Sequence, residues 1–311
     1  WSLQVYAMPA CCMRPPKIMA FRREIGLKTT AFSGMMIGPQ RRALLGPIIK
    51  NAARRRLGRW QACNGKEKKM KENKYDDPIF FEKYSEMGRS KYGLQGAGEW
   101  PELKKLFPNF SGKAVLDLGC GFGWHCQYAV EQGAAQVTGV DLSEKMLERA
   151  RSTTSPSICY QQCPMEDISF PPHSFDLVLS SLAIHYVQDF TALVEKVKNC
   201  LKPEGDFIFS VEHPVFTAYG SQDWHYGPSG EILHFPVDNY YYEGQRQAIF
   251  LGEPVTKYHR TITTYLNELL AAGFQLRAVV EPQPPESMME LPGMKDEMRR
   301  PMMLLVAARK K

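Results

Sequence analysis

Residues 114–123 read AVLDLGCGFG, an apolar, β-branched run that leads into Gly119, Gly121 and Gly123 at alternate positions. Such a run predicts a buried strand. Glycine serves where the backbone must turn sharply and let a ligand come closer than a Cβ would permit. Residues 124–132 then carry a helical pattern. Strand, glycine turn and helix in that order put the turn at the carboxyl end of a parallel strand, where open α/β sheets bind their ligands.

The alternation continues. QVTGVD (136–141) predicts a strand, and SEKMLERARS (143–152) a helix opened by Ser143, whose oxygen can accept from free backbone N–H groups. ICYQQ (158–162), FDLVLSS (175–181) and DFIFSVE (206–212) predict further strands. FTALVEKVKNCL (190–201) reads as a helix stopped by Pro203 and Gly205, and TITTYLNELLAAG (261–273) as a helix ended by Gly273. QLRAVVE (275–281) and PMMLLVAAR (301–309) complete the sheet, and two helices, 76–87 and 97–107, precede it. The expected class is α/β, a doubly wound, mostly parallel sheet covered on both faces. The alternation breaks over 213–260, whose 48 positions hold 10 Phe, Trp and Tyr and four of the seven histidines. With Trp224 and the run Tyr240, Tyr241 and Tyr242, this insertion is expected to form a lid over the ligand rim; a loop packed on its own aromatics is the alternative.

The net charge of +6 conceals two compositions. Residues 1–74 carry 17 Lys and Arg against 3 Asp and Glu, whereas 75–311 carry 22 against 30. The first segment has the composition of a disordered or targeting leader, and the second is one folded domain. An upstream extension that does not fold, and a basic arm for nucleic acid, are the other readings of 1–74. The acidic body argues against a nucleic-acid partner. No apolar stretch approaches the length of a membrane span. Eight cysteines without a C-x-x-C pair and seven unclustered histidines give no zinc-ribbon spacing, so no metal is expected. Free thiols fit the cytoplasm, or a mitochondrion or plastid if 1–74 is a transit segment.

Four signals leave strands on one rim of the sheet: the glycine turn with Asp117, then Asp141, then Met165-Glu166-Asp167, then Ser180 through His185. A dinucleotide fingerprint, G-x-G-x-x-G, would need glycine at position 124, which is Trp124. The nicotinamide alternative is therefore disfavoured. Asp117 sets a carboxylate where a ligand ammonium would lie, and Asp141 can accept both hydroxyls of a ribose. Cys120 reads as a small buried turn residue rather than a nucleophile. His185, and His213 before Pro214, leave strands at the same rim and are candidate bases, with packed histidines as the alternative.

With these residues in order the chain resembles the class I S-adenosylmethionine-dependent methyltransferases, most of all the methyltransferase type 11 subgroup. VLDLGCGFGWH (115–125), VTGVDLSEKML (137–147), MEDISF (165–170) and FDLVLSSLAIHY (175–186) match its successive motifs, and the likeness extends over 76–309. The resemblance implies a Rossmann-like sheet of seven strands with the last antiparallel. It implies S-adenosylmethionine as cofactor and transfer of its methyl group to an O, N or C nucleophile of a small-molecule acceptor. Gly119, Gly121, Gly123 and the backbone at Cys120 would hold the methionine part, with Asp117 orienting the turn or meeting the amino group. Asp141 would hold the ribose and Leu142 and Met146 would flank the adenine. Met165, Glu166 and Asp167 would contact the adenine edge. Tyr84 would close over the cofactor with Arg89 near its carboxylate, and Ser180 would complete the pocket. His185 or His213 would assist deprotonation of the acceptor. The alternative within the cofactor class is an RNA methyltransferase using the basic leader. The Asn/Asp-Pro-Pro-aromatic motif of adenine-modifying enzymes is replaced here by Ser180-Ser181-Leu182-Ala183.

Overall fold

The computed structural model describes residues 73–311 of the chain. The leader expected over 1–74 therefore lies outside the described residues except for Asn73 and Lys74. Order at the start of the domain comes from capping. The Asp77 side chain accepts the N–H groups of Ile79 and Phe80, and Pro78 at the first helical position has no N–H to lose, so helix α1 (Pro78–Ser85) begins there. Two short helices, α2 (Gly88–Tyr92) and α3 (Trp100–Leu106), lead to the sheet.

The first half is built from β1 (Ala114–Leu118), α4 (Trp124–Glu131), β2 (Gln136–Asp141), α5 (Glu144–Thr153) and β3 (Cys159–Gln162). The second half opens with β4 (Phe175–Ser181), α6 (Phe190–Cys200) and β5 (Leu201–Glu212). Ser143 caps α5 as expected, its Oγ accepting the Met146 N–H at 3.1 Å. The helices expected over 76–87 and 97–107 are shorter, Pro78–Ser85 and Trp100–Leu106, and the largest shift of a boundary is in β5. Strand β5 starts at Leu201, not 206, because Leu201 pairs with Phe175 directly after α6. The Pro203–Gly205 stretch is an irregularity inside this strand, with Glu204 in the left-handed region, as well as the stop of the helix.

After β5 come α7 (Pro214–Thr217) and two antiparallel hairpins, β6 (His225–Tyr226) with β7 (Ile232–His234) and β8 (Gly244–Phe250) with β9 (Glu253–His259). Helix α8 (Ile262–Ala271), β10 (Phe274–Val280), α9 (Met294–Glu297) and β11 (Met303–Lys310) end the chain. The seven-stranded sheet runs β10-β11-β5-β4-β1-β2-β3, with β11 antiparallel to both neighbours and the rest parallel, as the resemblance implied.

Unbroken apolar strands suit this sheet because alternate residues feed two cores. Leu116, Leu118, Val178, Phe207 and Phe209 pack with Phe190 and Leu193 of α6 and Tyr265 of α8. Val115, Leu177, Leu179 and Ile208 face the other way, onto Cys126, Ala129 and Leu147 of α4 and α5. Parallel strands all end on the same rim, so β1, β2, β4 and β5 deliver their last residues to one place.

Candidate active site

A cavity of about 380 Å³ lies on that rim, lined by the glycine turn, the ends of β2, β4 and β5, the segment 73–89 and the β8–β9 hairpin. Gly121 sits at φ +53°, and a Cβ built there would meet nothing within 4 Å. Gly121 lines the cavity, so its bare face is a cradle that a side chain would fill. Gly123 differs: at φ +77° its Cβ would lie 2.1 Å from the Tyr160 hydroxyl, and the residue does not line the cavity. Gly119 lines the cavity and packs on Ala183.

The turn directs its N–H groups inward. Gly119 and Cys120 donate to the Val140 carbonyl (2.8 and 3.0 Å), Gly123 to the Cys120 carbonyl (2.9 Å) and Gly121 to Asp141 Oδ2 (2.8 Å). Four N–H donors that a pyrophosphate would need are thus engaged. With its N–H on the Val140 carbonyl, the backbone at Cys120, expected to help hold the methionine part, would do so through the shape of the turn rather than with this donor. The Cys120 side chain is buried off the cavity, and burial pushes its thiol up to about 11, which fits packing.

Asp141 lines the cavity while its Oδ1 accepts the Ser143 N–H at 2.9 Å; burial raises it to about 6 against these two backbone donors. Leu142, Met146, Met165 and Glu166 line the same side. Asp167 does not; its N–H closes a turn onto Pro164. Asp117 is buried behind the turn, where Oδ2 accepts from Cys126 Sγ (3.3 Å) and Oδ1 has no hydrogen-bond partner, and burial lifts it to about 7. Asp117 therefore stands under the turn rather than on the cavity wall. Ser180 also points away, donating to the Leu118 carbonyl at 2.7 Å. Its neighbour Ser181 takes the position on the wall.

From the N-terminal side, Tyr84 and Arg89 reach the cavity. Arg89 is tied to the buried Glu99 at 2.5 Å through one nitrogen of its guanidinium. Tyr75, which sequence reasoning did not single out, lines the cavity too and meets the Tyr186 hydroxyl at 3.2 Å. Asp76 beside it accepts from Ser143 Oγ (2.5 Å) and the Lys145 N–H (3.2 Å), fastening this segment onto the start of α5.

The two candidate bases part company. His185 lines the cavity, and burial holds its ring neutral to about 4. Its Nδ1 faces the Glu212 N–H at 3.4 Å, so the ring proton belongs on Nε2. His213 is not on the wall. Its Nδ1 accepts the Val215 N–H as the cap of α7, and its Nε2 donates to Glu281 at 2.8 Å, so both nitrogens are occupied. The aromatics named in the insertion are also elsewhere. Tyr241 is 88 % exposed, and Trp224 packs on Phe235 and Arg300. Phe250, Val255, Thr256 and Tyr258 of the β8–β9 hairpin reach the cavity instead. Glu212 was missed as well, although it ends β5 on the rim as Asp141 ends β2. Leu182, held at φ +51°, turns the chain there and keeps its side of the wall in place.

Among the described residues no helix is long and apolar enough to cross a membrane, and no cluster of three His, Cys, Asp or Glu is arranged for a metal. Residues 116–209 match the family model described as a methyltransferase domain. A crystal structure from Listeria monocytogenes, assigned to the S-adenosylmethionine-dependent methyltransferases, is 57 % identical, with 70 % of this chain and 99 % of that one covered at a TM-score of 0.67. The S-adenosylmethionine-dependent methyltransferase from Mesorhizobium loti is 43 % identical, with 70 % and 100 % covered at a TM-score of 0.66. An uncharacterised protein of Haemophilus influenzae is 36 % identical over 244 residues, 76 % of this chain and 96 % of that protein.

Proposed function

The chain belongs to the class I S-adenosylmethionine-dependent methyltransferases, and from that premise we propose that it methylates a small molecule held between the ends of β4 and β5 and the β8–β9 hairpin. It is an enzyme of that class and its cofactor is S-adenosylmethionine. The observation that carries the acceptor reading is the cavity itself. Beside the side that would take the cofactor, its wall is aromatic and aliphatic with a few polar side chains, which suits a compact organic acceptor. One lining comes from segment 73–89, the glycine turn and β2, and a second from 181–188, Glu212 and the hairpin.

S-adenosylmethionine, when bound, supplies a methyl group on a sulfonium, an electrophile that needs no further activation. The chain's own task is therefore position and exclusion of water. Gly121 gives the close approach, and the lone pairs left on Asp141 would accept the ribose hydroxyls. Leu142 and Met146 would flank the adenine, and Met165 and Glu166 would meet its edge. Arg89, oriented by Glu99, would hold the carboxylate with its remaining donors, and Tyr84 would cover the cofactor. His185 presents Nε2–H, so it would orient an acceptor by donating a hydrogen bond; it would serve as a base only after releasing the Glu212 N–H. Where the acceptor is a neutral amine no base is required.

The test uses the full chain. Calorimetry with S-adenosylmethionine and S-adenosylhomocysteine is expected to show binding, and a screen for homocysteine-containing product over a metabolite panel to show turnover. Cofactor binding with turnover on RNA and on no small molecule would overturn the acceptor reading in favour of a nucleic-acid substrate.

A further inference from the structure

The second lining of the cavity holds one ionised group, and the insertion is built to keep it so. Glu212 Oε1 accepts from Lys257 Nζ of β9 at 2.6 Å, and Oε2 accepts from Gln222 Nε2 at 2.7 Å. Lys257 also donates to Gln222 Oε1 at 2.7 Å, which closes a three-membered ring of side chains. Gln222 also holds a left-handed backbone, φ +59°, a strained conformation that its surroundings must impose. The Lys257 ammonium, opposite, pulls the carboxyl down to about 2 in spite of burial.

The two charges are not equally open to a ligand. Glu212 lines the cavity with 15 % of its side chain exposed, whereas Lys257 is 3 % exposed and is not on the wall. The ammonium lies behind, within 6.0 Å of the Tyr186 ring and 5.4 Å of the Phe250 ring, and two of its three donors are taken. The other polar and aromatic groups on this side are the neutral His185, Ser181, Gln188, Thr256 and the rings of Tyr186, Phe250 and Tyr258; the cations of the cavity wall, Lys74 and Arg89, belong to the 73–89 lining. A buried carboxylate between aromatic walls accepts hydrogen bonds and repels a second anion.

Resting on the methyltransferase reading, we infer that Glu212, set by Lys257 and Gln222, selects the acceptor: a neutral or cationic molecule with an aromatic or aliphatic body that donates an N–H or O–H to this carboxylate, and not one bearing a carboxylate or phosphate. Glu212 acts here as a binding group. A carboxylate held so far down is too weak a base to take the acceptor's proton.

The experiment titrates the full chain, saturated with S-adenosylhomocysteine, with probes that share a ring and differ in side-chain charge: tryptamine against indoleacetate, and dopamine against dihydroxyphenylacetate. The ammonium twin is expected to bind at least about tenfold more tightly in both pairs. Glu212→Gln alone would leave the Lys257 ammonium buried without its partner, so the decisive protein is Glu212→Gln with Lys257→Met, which removes both charges at similar volume. In it the preference is expected to fall to about threefold or less, with S-adenosylhomocysteine affinity unmoved. Equal or tighter binding of the carboxylate twin, no binding of either twin, or a double variant that keeps the preference would overturn the inference. Failure to bind S-adenosylhomocysteine, read in the same instrument beforehand, would instead overturn the cofactor reading and the inference with it.

Discussion

Two glycines of one turn are expected to fail in different ways when each receives a single methyl group. Both sit in the left-handed region, so Gly121→Ala and Gly123→Ala each carry about 1–2 kcal/mol of backbone cost. At Gly121 the added Cβ has no neighbour within 4 Å, and nothing further is lost from the fold. At Gly123 it would stand 2.1 Å from the Tyr160 hydroxyl, 3.0 Å from Cζ and 3.3 Å from the Ala150 Cβ. The Tyr160 hydroxyl is itself bonded to Thr154 at 2.9 Å, so it does not yield freely. Overpacking of this kind adds roughly 1–3 kcal/mol. Thermal unfolding should therefore drop by about 2–8 °C for Gly121→Ala and by roughly 4–20 °C for Gly123→Ala, at about 2–4 °C per kcal/mol in a domain of this size. Calorimetry with S-adenosylhomocysteine should reverse the order. Gly121→Ala loses at least about tenfold in affinity because its methyl occupies the ligand's place, while Gly123→Ala, at a temperature where it is folded, loses little. Equal affinity of Gly121→Ala and the wild type would refute the assignment of the bare Gly121 face to the cofactor.

His185 ordinarily titrates near 6.5 but is held neutral by burial to about 4, so the unfolded chain binds its proton first; stability is whole above about pH 6.5 and declines as pH falls toward 4, by roughly 3 kcal/mol from this residue. His125 is held down in the same way, so urea unfolding between these pH values should show His185→Gln losing part of the slope, and a curve parallel to the wild type would contradict this. Arg300 lies 4.6–4.9 Å from the rings of Phe216, Trp224 and Phe235 and pairs with Glu297 at 2.8 Å. Arg300→Ala should cost about 2–4 kcal/mol, with hydrogen exchange rising first across 213–236; uniform exchange over the domain would refute that local role. A chain begun at Gln61 should keep its cofactor affinity, whereas one begun at Pro78 should lose at least about tenfold, since Lys74 and Tyr75 line the cavity and Asp76 anchors them. Equal affinities in titration would show this segment to be dispensable.

The sheet was legible because its signals are local. The central strands carry dense apolar runs, and helices such as α5 have a start that acts within four residues, Ser143 on Met146. The largest displaced boundary, β5 at Leu201, arises from pairing with Phe175, a partner that no pattern within the strand discloses. Proline and glycine at 203 and 205 announce a helix stop equally well whether a loop or an irregular strand follows.

The same distinction divides the site. The cofactor side is assembled within single β-α-β units, where Gly121 and Asp141, 20 residues apart, are joined at 2.8 Å and the order of motifs reveals them. The differences there, Ser181 rather than Ser180 on the wall, Gly123 off it, and Asp117 under the turn, where it can orient it, concern which way a residue faces at a strand end. The acceptor side depends on longer closures, 45 residues between Glu212 and Lys257 and 111 between Tyr75 and Tyr186. Aromatic content pointed to the insertion but not to its inward residues. Tyr241 and Trp224 stand out in composition, yet Tyr241 is exposed and Trp224 is packed on Arg300, while Phe250 and Tyr258 of the hairpin reach the cavity. A charged residue ending a strand on the ligand rim is the signal that would have found Glu212. It led to Asp141 from the sequence, and applied to β5 it leads to the acceptor side by the same reasoning.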